Sequence, residues 1–133
     1  MNRLEGEIIG IVEDNGLSQV TISLGADTKL KCLVIDTPTS ASYLRIGIKR
    51  AVVFKETEVI LAKGKENTTS LQNKIRGTIL NIKEGKLLCE VSVKTEAGLV
   101  ISIIPAESKY DMELKIGEPV SVMIKQNEIM LSE

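Results

Sequence analysis

The sequence predicts an all-β protein made of two tandem five-stranded barrels, each with a short helical turn. Three observations carry that reading. An internal repeat spans nearly all of the 133 residues. Short apolar runs, several alternating with period two, are separated by turn residues. In each copy one short stretch between the third and fourth runs sets hydroxyl residues ahead of an apolar pattern, as at a helix start.

The repeat is plainest in Phe54-Lys55-Glu56-Thr57-Glu58-Val59-Ile60-Leu61 and Ile124-Lys125-Gln126-Asn127-Glu128-Ile129-Met130-Leu131. Each reads apolar, Lys, two polar residues, Glu, then three apolar residues. Leu44-Arg45-Ile46-Gly47 and Leu114-Lys115-Ile116-Gly117 precede them at identical spacing. Asn2 to Ile9 aligns with Asn73 to Leu80 one residue further along than the later blocks do, so a single-residue length change lies between. The copies cover residues 1–65 and 72–133, and the polar stretch 66–71 reads as a linker.

In chain order, Leu4 to Val12 reads as a strand interrupted at Gly10, and Asn15-Gly16 is a strong hairpin signal. Val20 to Leu24 alternates, Gly25-Ala26-Asp27 turns the chain, and Leu30 to Ile35 is a third strand. Pro38 to Leu44 predicts one or two helical turns, ended by Gly47. Arg50 to Lys55 and Thr57 to Ala62 are the fourth and fifth strands, and by alternation Lys55 and Thr57 face one side while Glu56 faces the other. The second copy repeats the plan: strands at Lys74 to Ile82, Leu87 to Lys94 and Leu99 to Ile104, a short helix within Pro105 to Leu114, then strands at Pro119 to Lys125 and Glu128 to Ser132. Five short strands with a helical turn between the third and fourth is the element order of the oligonucleotide/oligosaccharide-binding (OB) barrel.

Composition argues against several functions. Net charge is −1, with 9 Lys/Arg against 9 Asp/Glu before Asn67 and 8 against 9 after it. A nucleic-acid binder concentrates positive charge for phosphate contact and supplies aromatic platforms for bases. Here the charge is balanced and the aromatics are Tyr43, Phe54 and Tyr110 alone, so no nucleic-acid partner is expected. There is no histidine and no credible nucleophile–base spacing, so no catalytic residue is assigned and the chain is read as a non-enzyme. Cys32 and Cys89 fall at non-equivalent places in the two copies, which suits neither a disulfide framework nor a zinc site; Cys89 continues an apolar alternation and reads as buried. No signal peptide or 18-residue apolar run is visible, so a cytoplasmic protein without a membrane partner is expected.

On these residues the chain resembles the molybdate-binding TOBE or Mop family, in its tandem di-Mop (molbindin-like) form. Family units open with a Ser-x-Arg-Asn tetrad before an apolar-x-Gly-Thr strand; here Ser70-Leu71-Gln72-Asn73 precedes Ile75-Arg76-Gly77-Thr78. A family serine stands nine residues before the late glycine, as Ser108 stands before Gly117. The family's fourth strand ends in Ile-Lys-Ala-Ser, matched by Ile124-Lys125-Gln126-Asn127. Gln72 replaces the usual arginine and Asn127 the usual serine or threonine. The first copy keeps only Asn2 of the tetrad, and its counterpart of Ser108 is Pro38, or Thr39 if the length change lies there. The resemblance implies oxyanion contacts from Ser70, Leu71, Gln72, Asn73, Ser108, Lys125, Gln126 and Asn127, and from Lys55, Glu56, Thr57 and Thr39 in the first copy. It implies bound molybdate or tungstate, no metal cation, and sites formed where chains meet in a homodimer or homotrimer. Storage, homeostasis or sensing of the anion follows, with a regulatory module of a molybdate-responsive regulator or transporter as the alternative and an OB-type nucleic-acid binder behind it.

The chemistry fits such a ligand on its own terms. A tetrahedral dianion offers four acceptor oxygens and nothing to donate, so its site needs N–H groups, hydroxyls, amides and a cation. One lysine at about 4 Å from a unit charge, at an effective dielectric of about 20, contributes about 4 kcal/mol before desolvation. Plainer roles stand beside this one. A lysine at a strand end also guards an edge against aggregation, Ser108 and Thr39 read equally as helix N-caps, and Ser70 to Asn73 reads equally as linker.

Overall fold

The structure is a computed structural model and describes residues 1–64 and 68–133. The first copy supplies strands β1 (Asn2–Asp14), β2 (Leu17–Ser23), β3 (Lys29–Val34), β4 (Lys49–Phe54) and β5 (Ile60–Ala62). The second supplies β6 (Asn73–Glu84), β7 (Leu88–Thr95), β8 (Gly98–Pro105), helix α1 (Ala106–Asp111), β9 (Pro119–Ile124) and β10 (Met130–Ser132). Part of the expected 66–71 linker, at Glu66 and Asn67, and the first copy's last residue, Lys65, lie outside the described residues; Thr68 to Leu71 carry no regular element.

The strands form two antiparallel five-stranded sheets of the predicted all-β, barrel-like kind. The Asn15-Gly16 hairpin closes as expected, both residues taking positive φ (51° and 79°). The first strand of each copy is long because it serves two partners. Asn2 to Glu7 pairs with β4 and Glu7 to Asp14 with β2, and Asn73 to Thr78 pairs with β9 while Gly77 to Glu84 pairs with β7. A bulge between Ile8 and Gly10, matched between Ile79 and Asn81, bends each strand from one partner to the other. The late glycines close on these bends. Gly47 N–H donates to the Ile8 carbonyl and Gly117 N–H to the Ile79 carbonyl, each at 2.8 Å, from φ of +92° and +89° that glycine adopts freely.

The fifth strands are exchanged. The sheets run β10-β4-β1-β2-β3 and β5-β9-β6-β7-β8, so the last strand of each copy completes the sheet of the other. The Lys-x-x-Glu block makes the crossing. It is not the start of a strand, as alternation suggested, but a 3₁₀ turn in which Glu58 N–H donates to the Lys55 carbonyl and Glu128 N–H to the Lys125 carbonyl, both at 3.0 Å. The expected facing of Lys55 and Thr57 against Glu56 is therefore lost. Beyond the turn, Val59, Leu61 and Ile129 enter a core shared by both copies, each burial contributing about 1.5–3 kcal/mol. A Lys63–Glu118 ion pair at 3.0 Å adds a polar link between the copies.

A second departure concerns the helical turns. The second copy has its helix, but Thr37 to Leu44 forms successive turns instead. The Thr37 and Ser40 side chains bond to each other's backbone N–H groups, competing with the helical pattern, whereas Ala106 to Asp111 offers better helix formers.

Candidate functional site

The β6–β9 pairing sets Asn73 opposite Ile124 and so brings the residues entering β6 beside those leaving β9. Ser70, Leu71, Gln72, Lys125, Gln126 and Asn127 together line a small cleft of ≈ 160 Å³. All six were singled out in the sequence, and Lys125 is the one charged residue among the described residues lining the cleft. Its donors are of the kind a dianion needs: an ammonium, a hydroxyl and side-chain amides.

The amides are joined in a chain. Gln126 Nε2 donates to Gln72 Oε1 at 2.9 Å, and Gln19 Nε2, from β2 of the first copy, donates to Gln126 Oε1 at 2.9 Å. Gln19 was missed in the sequence. It sits within an alternating strand, 107 residues from its partner, and no local spacing signals the contact.

Asn73 points elsewhere. Its side chain is buried, donating to the Lys31 carbonyl and accepting from the Lys31 N–H, both at 2.8 Å. Asn2 does the same to Ile101, also at 2.8 Å each way. Each repeat's opening asparagine therefore clips the third strand of the other repeat, and the Asn73 side chain is engaged in this backbone pairing.

The first copy's counterpart cluster has opposite electrostatics. Lys55 and Thr57 are exposed, but Glu56, at the position of Gln126, accepts from the Met1 ammonium at 2.9 Å. That hydrogen bond, first among its causes, holds the Glu56 carboxyl below the usual carboxylate range, so the group is ionised and offers no donor. Glu90, at the position of Gln19, pairs with Lys83 at 3.7 Å.

Ser108 and Thr39 are not among the described residues that line the second-repeat cleft. Helix α1 lies beyond the far end of β6, where Ala106 N–H donates to the Leu87 carbonyl and Lys109 bonds to Glu84. Pro105 stands at the cap position and Ser108 lies inside the first turn, so Ser108 is not the N-cap. The strand registers place the single-residue length change in the hairpin between β2 and β3: five residues separate the paired Ser23 and Lys29, four the equivalent Lys94 and Leu99. Pro38 is thus the counterpart of Ser108, and Thr39 is not.

Both cysteines are buried, and burial pushes the Cys32 thiol up to about 12. A wider cleft, ≈ 720 Å³, mixes Lys29, Lys74 and Arg76 with Asp27 and Glu96 and includes no residue predicted for the site. Among the described residues no helix is long and apolar enough to cross a membrane.

The two repeats share one β order, and the cleft is built from the opening and Lys-x-x-Glu segments of the second. The model of the TOBE domain matches residues 69–131, which is the second repeat. Over nearly its whole length it has the fold of ModG, described as a cytoplasmic molybdate-binding protein and crystallised with molybdate bound. That likeness has a TM-score of 0.91 at 26% identity and covers 98% of this chain and 94% of that one. MopII from Clostridium pasteurianum matches 47% of this chain over 96% of its own, at 23% identity and a TM-score of 0.45. No curated protein matches.

Proposed function

We propose that this chain binds a tetrahedral oxyanion of the molybdate and tungstate type, serving its storage, homeostasis or sensing in the cytoplasm, and that it does so in the second-repeat cleft. The observation that carries this is the meeting of Ser70, Gln72, Lys125 and Asn127 around one small cleft with a cation and no carboxylate. The likeness to molybdate-bound ModG supports it. The first repeat's cluster, with ionised Glu56 at the matching place, is a poor seat for a dianion and is read as vestigial for binding.

As the family resemblance implies, a second copy of the chain completes the cleft in a homodimer or homotrimer. Ser108, remote from the cleft within one chain, then acts only if a neighbouring copy presents it. Titration calorimetry with molybdate, tungstate and sulfate, alongside light scattering, tests the reading. Molybdate and tungstate should bind alike, and the smaller sulfate at least about tenfold more weakly, equivalent to about 1.4 kcal/mol. Two or three chains per particle are expected. Equal affinity for sulfate, or a strict monomer with or without anion, contradicts it.

A further inference from the structure

The cleft belongs to the second repeat, yet the glutamine chain that runs into it starts in the first. Gln19 lies on the outer face of its sheet in a cross-strand row with Val12 and Leu33, which are 65% and 40% exposed. These neighbours offer no polar group, and among the described residues the hydrogen-bond partner of the Gln19 side chain is Gln126.

A chain of primary amides has two possible directions, because each amide carries one acceptor oxygen and one donor nitrogen. In the direction seen, Gln126 Oε1 and Gln72 Oε1 are both occupied by donors, and Gln72 Nε2 donates to none of the described residues. Both its N–H groups are then available at the cleft. In the reverse direction one of the two N–H groups of Gln72 is spent on Gln126, and Gln72 Oε1 is left free, an acceptor facing an anion that only accepts. The repeat offers an internal contrast: the positions of Gln126 and Gln19 are held in the other copy by Glu56 and Glu90, which cannot donate at all.

We propose that Gln19 is the positioning residue of the oxyanion cleft: in the direction seen it donates to Gln126 and closes the three-glutamine chain, which leaves both N–H groups of Gln72 for the anion in place of the arginine usual to the family. This rests on the oxyanion reading above. It also makes anion affinity depend on how the first repeat's sheet lies against the second repeat's 3₁₀ turn.

The test compares Gln19→Leu, Gln19→Glu and Leu33→Glu with the unaltered chain, using calorimetry with molybdate and side-chain amide NMR of Gln72. Leu33→Glu places the same charge one strand over, on an exposed position. Gln19→Leu removes one hydrogen bond and should weaken binding about three- to tenfold. Gln19→Glu accepts only, so it forces the reverse direction; it should weaken binding more than Leu33→Glu does and abolish the molybdate-induced shift of the Gln72 amide signals. All three variants should melt near the unaltered chain, since the substituted side chains lie on the outer face. Equal losses in Gln19→Glu and Leu33→Glu, with the Gln72 shift retained, would overturn the positioning role. So would unchanged binding in both Gln19 variants, while leaving the oxyanion reading intact. An unaltered chain that binds no molybdate would remove both.

Discussion

At the scale of single residues, the two lysines at equivalent places are separated by their neighbours. Lys125 stands with Gln72 and Gln126, neutral groups able to donate; Lys55 stands with an ionised Glu56 that already holds an ammonium. Lys125→Ala should therefore cost about 1.5–3 kcal/mol of molybdate affinity, roughly ten- to a hundredfold, by calorimetry. Lys55→Ala should change it little. If both substitutions weaken binding equally, the first copy's cluster completes a neighbour's site and the vestigial reading is wrong. Asn73 calls for a different outcome. Asn73→Ala strands the Lys31 N–H and carbonyl, so it should lower stability by about 1–3 kcal/mol in denaturant unfolding while affecting the affinity of the folded protein less than Lys125→Ala does.

At the scale of the element, each long first strand turns from one partner to the other at a tight approach. A Cβ added at Gly77 would lie 2.5 Å from Val93 Cγ1 and 2.7 Å from the Lys94 carbonyl oxygen, and backbone cannot yield as a side-chain tip can. Gly77→Ala should destabilise by about 1–3 kcal/mol in urea, whereas Gly10→Ala, whose nearest contacts are at 3.4 Å, should be far better tolerated. This scale also marks how far the sequence could be read. The β order, the Asn15-Gly16 turn and the Leu-x-Ile-Gly blocks were legible because each is a local signal with a local cause. The 3₁₀ turn was hidden, since Lys-x-x-Glu flanked by apolar residues reads as a strand until Glu58 N–H is seen closing on Lys55. The turns at Thr37 to Ser40 were missed because hydroxyls that cap a helix also replace one. In the candidate site, the residues flanking β6 and β9 were legible as motif. Gln19, the placement of Ser108 and the clip made by Asn73 depend on contacts between distant segments that no spacing encodes.

At the scale of the whole molecule, the exchange of β5 and β10 turns two small barrels into one interlocked unit. The exchange was not legible because Val59-Ile60-Leu61 and Ile129-Met130-Leu131 are nearly interchangeable, so either suits either sheet. It matters for function, because each 3₁₀ turn is thereby pressed against the third strand of the other repeat, and each Lys-x-x-Glu segment is framed by both copies. Near-symmetry of the backbone then coexists with asymmetry of chemistry, a cleft with a cation and no carboxylate at one end and a carboxylate-bearing cluster at the other. Anomalous scattering at the tungsten edge, from crystals grown with tungstate, tests that asymmetry most directly. The expected result is a tungsten peak within hydrogen-bonding reach of Lys125, Gln72 and Ser70, and none beside Lys55 and Glu56. A peak at Glu56, or none at Lys125, would contradict it.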